Sequence, residues 1–262
     1  MPRRHRKGVS VTSTRTIATV TGWLFLITFI GSIPAQFMLY APVLKDPFFI
    51  LGSGPDAGVS LGALLELFVV VANIGTAVVL YPLLKRQNET IAIGYVASRI
   101  VESTVIMVGI FSVISVLALR QGVVSGAGEE VLVPIGQALV ALHDASFLLG
   151  PGFLSGLGTG ILLGYLMYSA NLVPRGMAIL GLVGGPALIL AMVGVLFGAF
   201  APGSIWQIIA TVPEFFWELS LGIYLIVKGF KPSPLTAGFE RQAAQDQDAA
   251  VVAGGALRGA SA

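Results

Sequence analysis

The chain has 262 residues, of which 55% are hydrophobic and only 11% are charged, and fifteen Lys and Arg against thirteen Asp and Glu leave a formal charge of +2. Soluble domains carry about 25% charged residues, so this composition excludes an ordinary soluble enzyme and a disordered protein. The small charge does not favour nucleic-acid binding. The chain contains no cysteine, which excludes disulfides, Cys-ligated zinc and thiol nucleophiles.

Six apolar segments are each long enough to cross a bilayer as a helix. About 20 residues, rising about 1.5 Å each, span a hydrocarbon core of about 30 Å. The segments cover residues 16–40, 59–84, 90–119, 134–168, 173–200 and 204–227. The sequence therefore predicts an all-α integral membrane bundle of six transmembrane helices, with one membrane domain over residues 14–230. A basic N-terminus precedes it at 1–13, and a polar tail at 231–262 is predicted to be disordered because it lacks apolar content.

The fourth segment decides the number of spans. Its 35 residues exceed one untilted span but are too few for two spans and a turn. Six spans with the N-terminus inside place ten Lys and Arg residues inside and only Lys45 and Arg120 outside, which satisfies the positive-inside rule. We therefore predict a long fourth helix kinked at Pro151, both termini in the cytoplasm, and a place in the cytoplasmic membrane.

The N-terminus also resembles a signal peptide, because basic residues precede an apolar run and Ala35 is a candidate cleavage residue. We favour an uncleaved first span. Cleavage would leave five spans with the C-terminal basic residues still inside.

Ionisable residues interrupt the apolar segments. A charge at bilayer depth costs at least about 2.5–3.5 kcal/mol, so each is expected to face the protein interior and to find a partner. Asn73 lies two turns from the first of them and on the same helix face. Together these ligand or polar-layer candidates are Glu66, Asn73, Arg99, Glu102, His143, Asp144, Glu214 and Glu218.

Residue counting from the ends of the segments places most of this set in one layer between the outer half of the membrane and its midplane. The simplest network surrounds Arg99 with Glu66, Glu102 and Glu214, because a guanidinium has five donors. Five carboxylates then face one arginine and one histidine. Either some carboxyls are protonated or a cation or cationic ligand completes the site. Structural contacts between helices are the plainer alternative.

Catalytic and metal-binding signals are weak. His143 is the only histidine at membrane depth, and no paired-histidine spacing is present, so we predict neither a metal site nor a cofactor. The chain also has no Gly-x-Ser-x-Gly motif.

Small residues recur every four positions on the fourth segment, at Gly152, Gly156, Gly160 and Gly164. Such a ridge lets another helix approach backbone to backbone. We predict that this glycine ridge packs against the fifth or sixth span; a homodimer face is the alternative.

Several runs together resemble one large family of bacterial membrane proteins, catalogued as domain of unknown function 4386. The resemblance covers residues 14–230 and implies a compact multi-span helical protein in the cytoplasmic membrane, with no particular activity. The runs that carry it are Ala97-Ser-Arg99-Ile-Val-Glu102, Leu142-His143-Asp144, Gly150-Pro-Gly-Phe, Leu163-Gly164-Tyr165-Leu-Met-Tyr168, Pro174-Arg175, Pro213-Glu214, Trp217-Glu218-Leu-Ser-Leu-Gly222 and Lys228-Gly229.

From these features we expect a protein that recognises or moves a small solute or lipid headgroup at a buried polar layer. One alternative is an intramembrane enzyme, for instance a hydrolase, that uses His143 with Asp144 or Glu218. Another is a structural or regulatory membrane protein without a ligand. The lipid bilayer is the expected partner, nucleic acid is not, and the sequence does not decide whether the chain forms a homo-oligomer.

Overall fold

The computed structural model describes residues 13–52, 56–121 and 128–245. Within these ranges it contains helices and no strand, and six helices are long and apolar enough to cross a membrane. We number them α1 to α6: Thr14–Leu39, Ala57–Leu84, Glu89–Gln121, Glu130–Ser169, Arg175–Leu196 and Ile205–Val227. The predicted all-α bundle of six spanning helices is confirmed.

The six helices form a closed ring. Each packs against the next in the chain, and α1 also packs against α6. Large apolar side chains such as Val71, Leu190 and Phe216 remain exposed on the outside of the ring, as a surface in contact with lipid requires. Inside it, Phe25, Trp217 and other buried side chains form the main apolar core.

The two ends of the ring differ in charge. We name one the basic end; it holds the loops at 85–88 and 170–174 and the exposed residues Lys85, Arg86 and Arg175. The other, the far end, holds residues 40–52, residue 56 and residues 197–204. At the far end the short helices Ala41–Lys45 and Phe49–Leu51 pack beneath the first half of α4.

Helix α4 is the longest of the six, with 40 residues. Its middle is π-helical over Leu148–Leu154 and Gly156–Leu163. Pro151 lies in the first of these stretches and has no N–H to donate, so the wider turn accommodates a residue that a regular α-helix does not. The long, interrupted fourth helix that the sequence predicts is therefore a single span.

The segment predicted to be a disordered tail contains a helix at 234–245, which we number α7. Phe239 is buried in the main core, and the Arg86 guanidinium lies 4.6 Å above its ring. Thr14 at the start of α1 donates a hydrogen bond to Glu240. The tail as a whole has low apolar content, but this helix has one short apolar face, which packs on the basic end. The remainder of the tail and the basic N-terminus before residue 13 lie outside the described residues.

Single-cysteine variants test the direction of the helices, because the natural chain has none. Asp46 is exposed at the far end, and Gln87 and Gly176 are exposed at the basic end. The positive-inside rule predicts that the basic end faces the cytoplasm. On intact cells we expect an impermeant thiol reagent to label Asp46→Cys, and to label Gln87→Cys and Gly176→Cys only after permeabilisation. Labelling of Gly176→Cys and Asp46→Cys from the same side would contradict the six-span topology.

Candidate functional site

The buried polar side chains lie at two levels of the bundle. Arg99 is ten residues from the start of α3, Thr159 is ten from the end of α4 and Glu214 is nine from the start of α6, which places each about 14–15 Å from a helix end. We name this level the midplane layer; its members are Asn73, Arg99, Glu102, Ser155, Thr159, Glu214 and Glu218. Glu66 precedes Asn73 by seven residues on α2 and so lies about 10 Å nearer the far end.

Arg99 is the centre of the midplane layer and is only 1% exposed. Its Nη1 donates to Glu102 Oε2 at 2.8 Å and to Thr159 Oγ1 at 2.9 Å. Its Nη2 donates to Asn73 Oδ1 at 2.5 Å. The Asn73 Nδ2 in turn donates to Glu102 Oε1 at 3.3 Å, which closes a ring of hydrogen bonds between α2 and α3, and Thr159 joins it from α4. A permanent buried charge is thus matched by one carboxylate and two neutral acceptors.

Neighbouring contacts hold this network in place. Arg99 and Glu102 share a face of α3 because they are three residues apart. Thr159 lies in the π-helical part of α4, and its carbonyl oxygen accepts a hydrogen bond of 3.0 Å from Nε1 of the fully buried Trp217. The π-helix and α6 therefore fix the position of the threonine that faces Arg99.

Glu214 differs from Glu102 in having no partner. Its side chain is 3% exposed, and neither carboxylate oxygen has a hydrogen bond within the described residues. Its Oε2 lies in a cradle of glycines: a Cβ added to Gly160 would be 2.7 Å from this atom, and one added to Gly184 would be 2.9 Å away. One turn along α6, the half-buried Glu218 accepts a hydrogen bond of 2.9 Å from Ser155. The two carboxylates thus face the same part of the ring.

The glycine ridge of α4 lies along α5. Gly156 and Gly160 meet the backbone of Gly185, and Gly164 approaches the backbone of Leu182. Gly152 lies against the side chain of Met192. The absence of side chains on both helices brings the backbones together and leaves the space that the Glu214 carboxylate occupies.

A second group, the far-end cluster, consists of Tyr40, Glu66, His143 and Ser146. The Tyr40 hydroxyl donates to Glu66 Oε2 at 3.0 Å, and its ring packs edge-on against the imidazole at a centroid distance of 5.6 Å. Glu66 and His143 are 6% and 2% exposed. Glu66 pairs with Tyr40, so the predicted contact between Glu66 and Arg99 does not form, and Asn73 contacts Arg99 in its place. Glu66 and Asn73 lie on one face of α2 but two turns apart, so only Asn73 is at the level of Arg99.

Asp144 was expected to face the interior, and this prediction is wrong. Its side chain is 66% exposed, and its Oδ1 lies 3.5 Å from His143 Nδ1. Consecutive helix residues point about 100° apart, so a buried His143 turns Asp144 outward. His143 and Glu218 belong to different levels, so the hydrolytic alternative that pairs them has no common site in the described structure.

Sequence reasoning missed Tyr40, Ser155, Thr159 and Trp217. A neutral hydroxyl or indole in an apolar helix carries no charge signal, and the π-helical turns of α4 change which residues face the ring. The glycine pair at 184–185 could have predicted the close approach of α5 that forms the cradle around Glu214. Within the described residues there is no group of three His, Asp or Glu side chains that could hold a metal ion.

A ring of six apolar helices around a buried arginine–carboxylate layer defines a multi-pass membrane protein. The model of one family, described as Domain of unknown function (DUF4386), matches residues 20–229, so the chain belongs to this family. The suspected resemblance is confirmed. No curated protein and no solved structure matched the chain.

Proposed function

We propose that the protein recognises a small cationic solute, or the cationic headgroup of a lipid, in the midplane layer and moves it across the cytoplasmic membrane. One observation carries the proposal: both oxygens of the buried Glu214 carboxylate lack a partner in the described residues. A buried carboxylate without a counter-charge is unfavourable by several kcal/mol. A ligand with an ammonium group would supply that charge.

The charges of the layer support a cationic ligand. Glu102 is paired with Arg99, which is the only basic residue at this level in the described structure. Glu214 and Glu218 are then in excess. An ammonium group has three donors and no acceptor, so it suits two carboxylates one helical turn apart.

Local structure supports the same position for the ligand. The Arg99–Glu102 pair is tightly hydrogen-bonded and acts as a fixed support. Glu218 is partly exposed and Ser155 borders the π-helix of α4. Wide turns of this kind occur frequently at functional sites.

Thermal unfolding of the purified protein in detergent tests the proposal. We expect stabilisation by methylammonium chloride or ethanolamine and none by neutral isosteres such as ethylene glycol. A ligand at a hundred times its Kd adds about 2.7 kcal/mol to the free energy of unfolding. Native mass spectrometry with phosphatidylethanolamine and phosphatidylglycerol distinguishes a headgroup from a free amine. Failure of all these amines to stabilise the protein or to be retained would contradict the proposal.

The variant Glu214→Gln isolates the proposed contact. An amide of the same size is cheaper to bury than an unpaired carboxylate, so we expect unfolding at the same temperature as the parent or higher, with the amine-dependent stabilisation lost. The control is Glu89→Gln at the exposed start of α3, which should keep the full response. A strongly destabilised Glu214→Gln variant would mean that Glu214 has a structural partner.

A further inference from the structure

We propose that Asp144, His143 and Glu66 form a proton relay from the far-end surface into the far-end cluster. The link to solute movement rests on the proposed function, since protons delivered to the far-end cluster would reach the region between that cluster and the midplane layer. The proton transfer itself depends only on the geometry of these three side chains and of two cavities.

The outer cavity has a volume of about 240 Å³ and lies among the short helix Ala41–Lys45, α3 and α4. Asp46, Gln137 and Asp144 supply its polar side chains. Liquid water occupies about 30 Å³ per molecule, so the cavity has room for several. Asp144, with 66% of its side chain exposed, is therefore in a position to exchange protons with solvent.

His143 contacts Asp144, which lines the outer cavity, and itself lines a smaller inner cavity. Its Nδ1 lies 3.5 Å from Asp144 Oδ1, while its ring lines the inner cavity together with Glu66 and Ser146. Imidazole has two ring nitrogens, so it can accept a proton on one side and release another on the opposite side. The buried ring therefore lies between a carboxyl of the outer cavity, Asp144, and the inner cavity.

The inner cavity has a volume of about 10 Å³, which is close to the minimum for one water molecule. A water also needs two to four polar partners, and Glu66, His143 and Ser146 line this space. Tyr40 already holds Glu66 Oε2, so Oε1 is the atom for the relay. The closeness of α3 and α4 keeps the space small, because a Cβ added to Gly109 would collide with Ser146 Oγ.

The transfer balances in two steps. Protonated Asp144 gives its proton to His143 Nδ1, which forms an imidazolium and leaves an aspartate. The imidazolium then gives its Nε2 proton to a water, and that water passes one of its own protons to Glu66 Oε1. The products are neutral His143 and protonated Glu66, and solvent in the outer cavity reprotonates Asp144.

Few other titratable groups face this path. Among the described residues, Tyr40, directly after α1, and Glu66 on α2 are the titratable groups that these two elements contribute, and the cavity-lining residues of α3, Ile106 and Gly109, contribute none. Asp46 faces the outer cavity but has no contact with His143 in the described structure; its Oδ1 accepts from the backbone of Phe48.

Time-resolved infrared spectroscopy of the reconstituted protein after an acid jump tests the relay. We expect a carboxylic-acid band that Glu66→Gln removes. We expect His143→Gln and Asp144→Asn each to slow its appearance roughly a hundredfold, the usual scale for loss of a positioned proton carrier. The matched control, Asp46→Asn, changes an acid in the same cavity and should keep the parental rate.

Parental rates in Asp144→Asn or in a folded His143→Gln would overturn the relay, as would the absence of any Glu66-dependent band in the parent. If His143→Gln does not fold, the exposed Asp144 carries the test. Amine binding is measured separately at constant pH. If the parent protein shows the relay but binds no amine, only the proposed function is contradicted. If it binds an amine but shows no relay, only the relay is contradicted.

Discussion

Replacement of Arg99 by glutamine is expected to lower the free energy of unfolding by about 3–5 kcal/mol, the usual cost of removing one partner from a buried ion pair. The guanidinium satisfies Glu102, Thr159 and Asn73 at the same time. Without it, the Glu102 carboxylate keeps only the Asn73 amide as a partner. A shorter neutral side chain also cannot bridge α2, α3 and α4.

The double variant Arg99→Gln/Glu102→Gln separates charge pairing from packing. Removal of both charges of the pair leaves neither Arg99 nor Glu102 as an unpaired ion, so part of the lost stability should return. The measurement is thermal unfolding in detergent of the parent, both single variants and the double variant. Arg175→Gln, at an exposed arginine of the basic end, should change the stability little. Strictly additive losses would show that Arg99 and Glu102 are not coupled.

Gly160→Leu should be the most disruptive single change on the glycine ridge. A Cβ at this position collides with the Gly185 Cα and comes within 2.9 Å of its nitrogen. These are backbone atoms, so no side chain can rotate away, and α4 and α5 must separate. Overpacking of this kind costs about 1–3 kcal/mol and sometimes more. The separation would also displace Glu214, so amine-dependent stabilisation should disappear in the same variant.

The control for this change is Gly176→Leu at the exposed start of α5, where nothing lies within 4 Å of an added Cβ. It should unfold at the parental temperature. If Gly160→Leu were equally stable in detergent, α4 and α5 would not pack through these glycines. A homodimer through the ridge would then regain support, and the oligomeric state of the two variants would decide it.

The sequence by itself determined the membrane architecture. A helix needs about 20 consecutive apolar residues to cross the hydrocarbon core, and the core offers no hydrogen-bond partner to the backbone. The six spans can therefore be predicted without tertiary information. The pairing of Arg99 with Glu102 was also predictable, because both lie on one turn of one helix. The long fourth span with Pro151 at its interruption follows from local chemistry as well.

Tertiary structure alone decided which helices bring their polar side chains together. Helix rotation and vertical offset are set by packing, and the sequence does not encode them locally. For this reason Asn73 rather than Glu66 meets Arg99, and the neutral Thr159 completes the network from a π-helical turn. The same rotation turns Asp144 to the surface. Packing also positions α7, because Phe239 is buried among residues of α1 and α2.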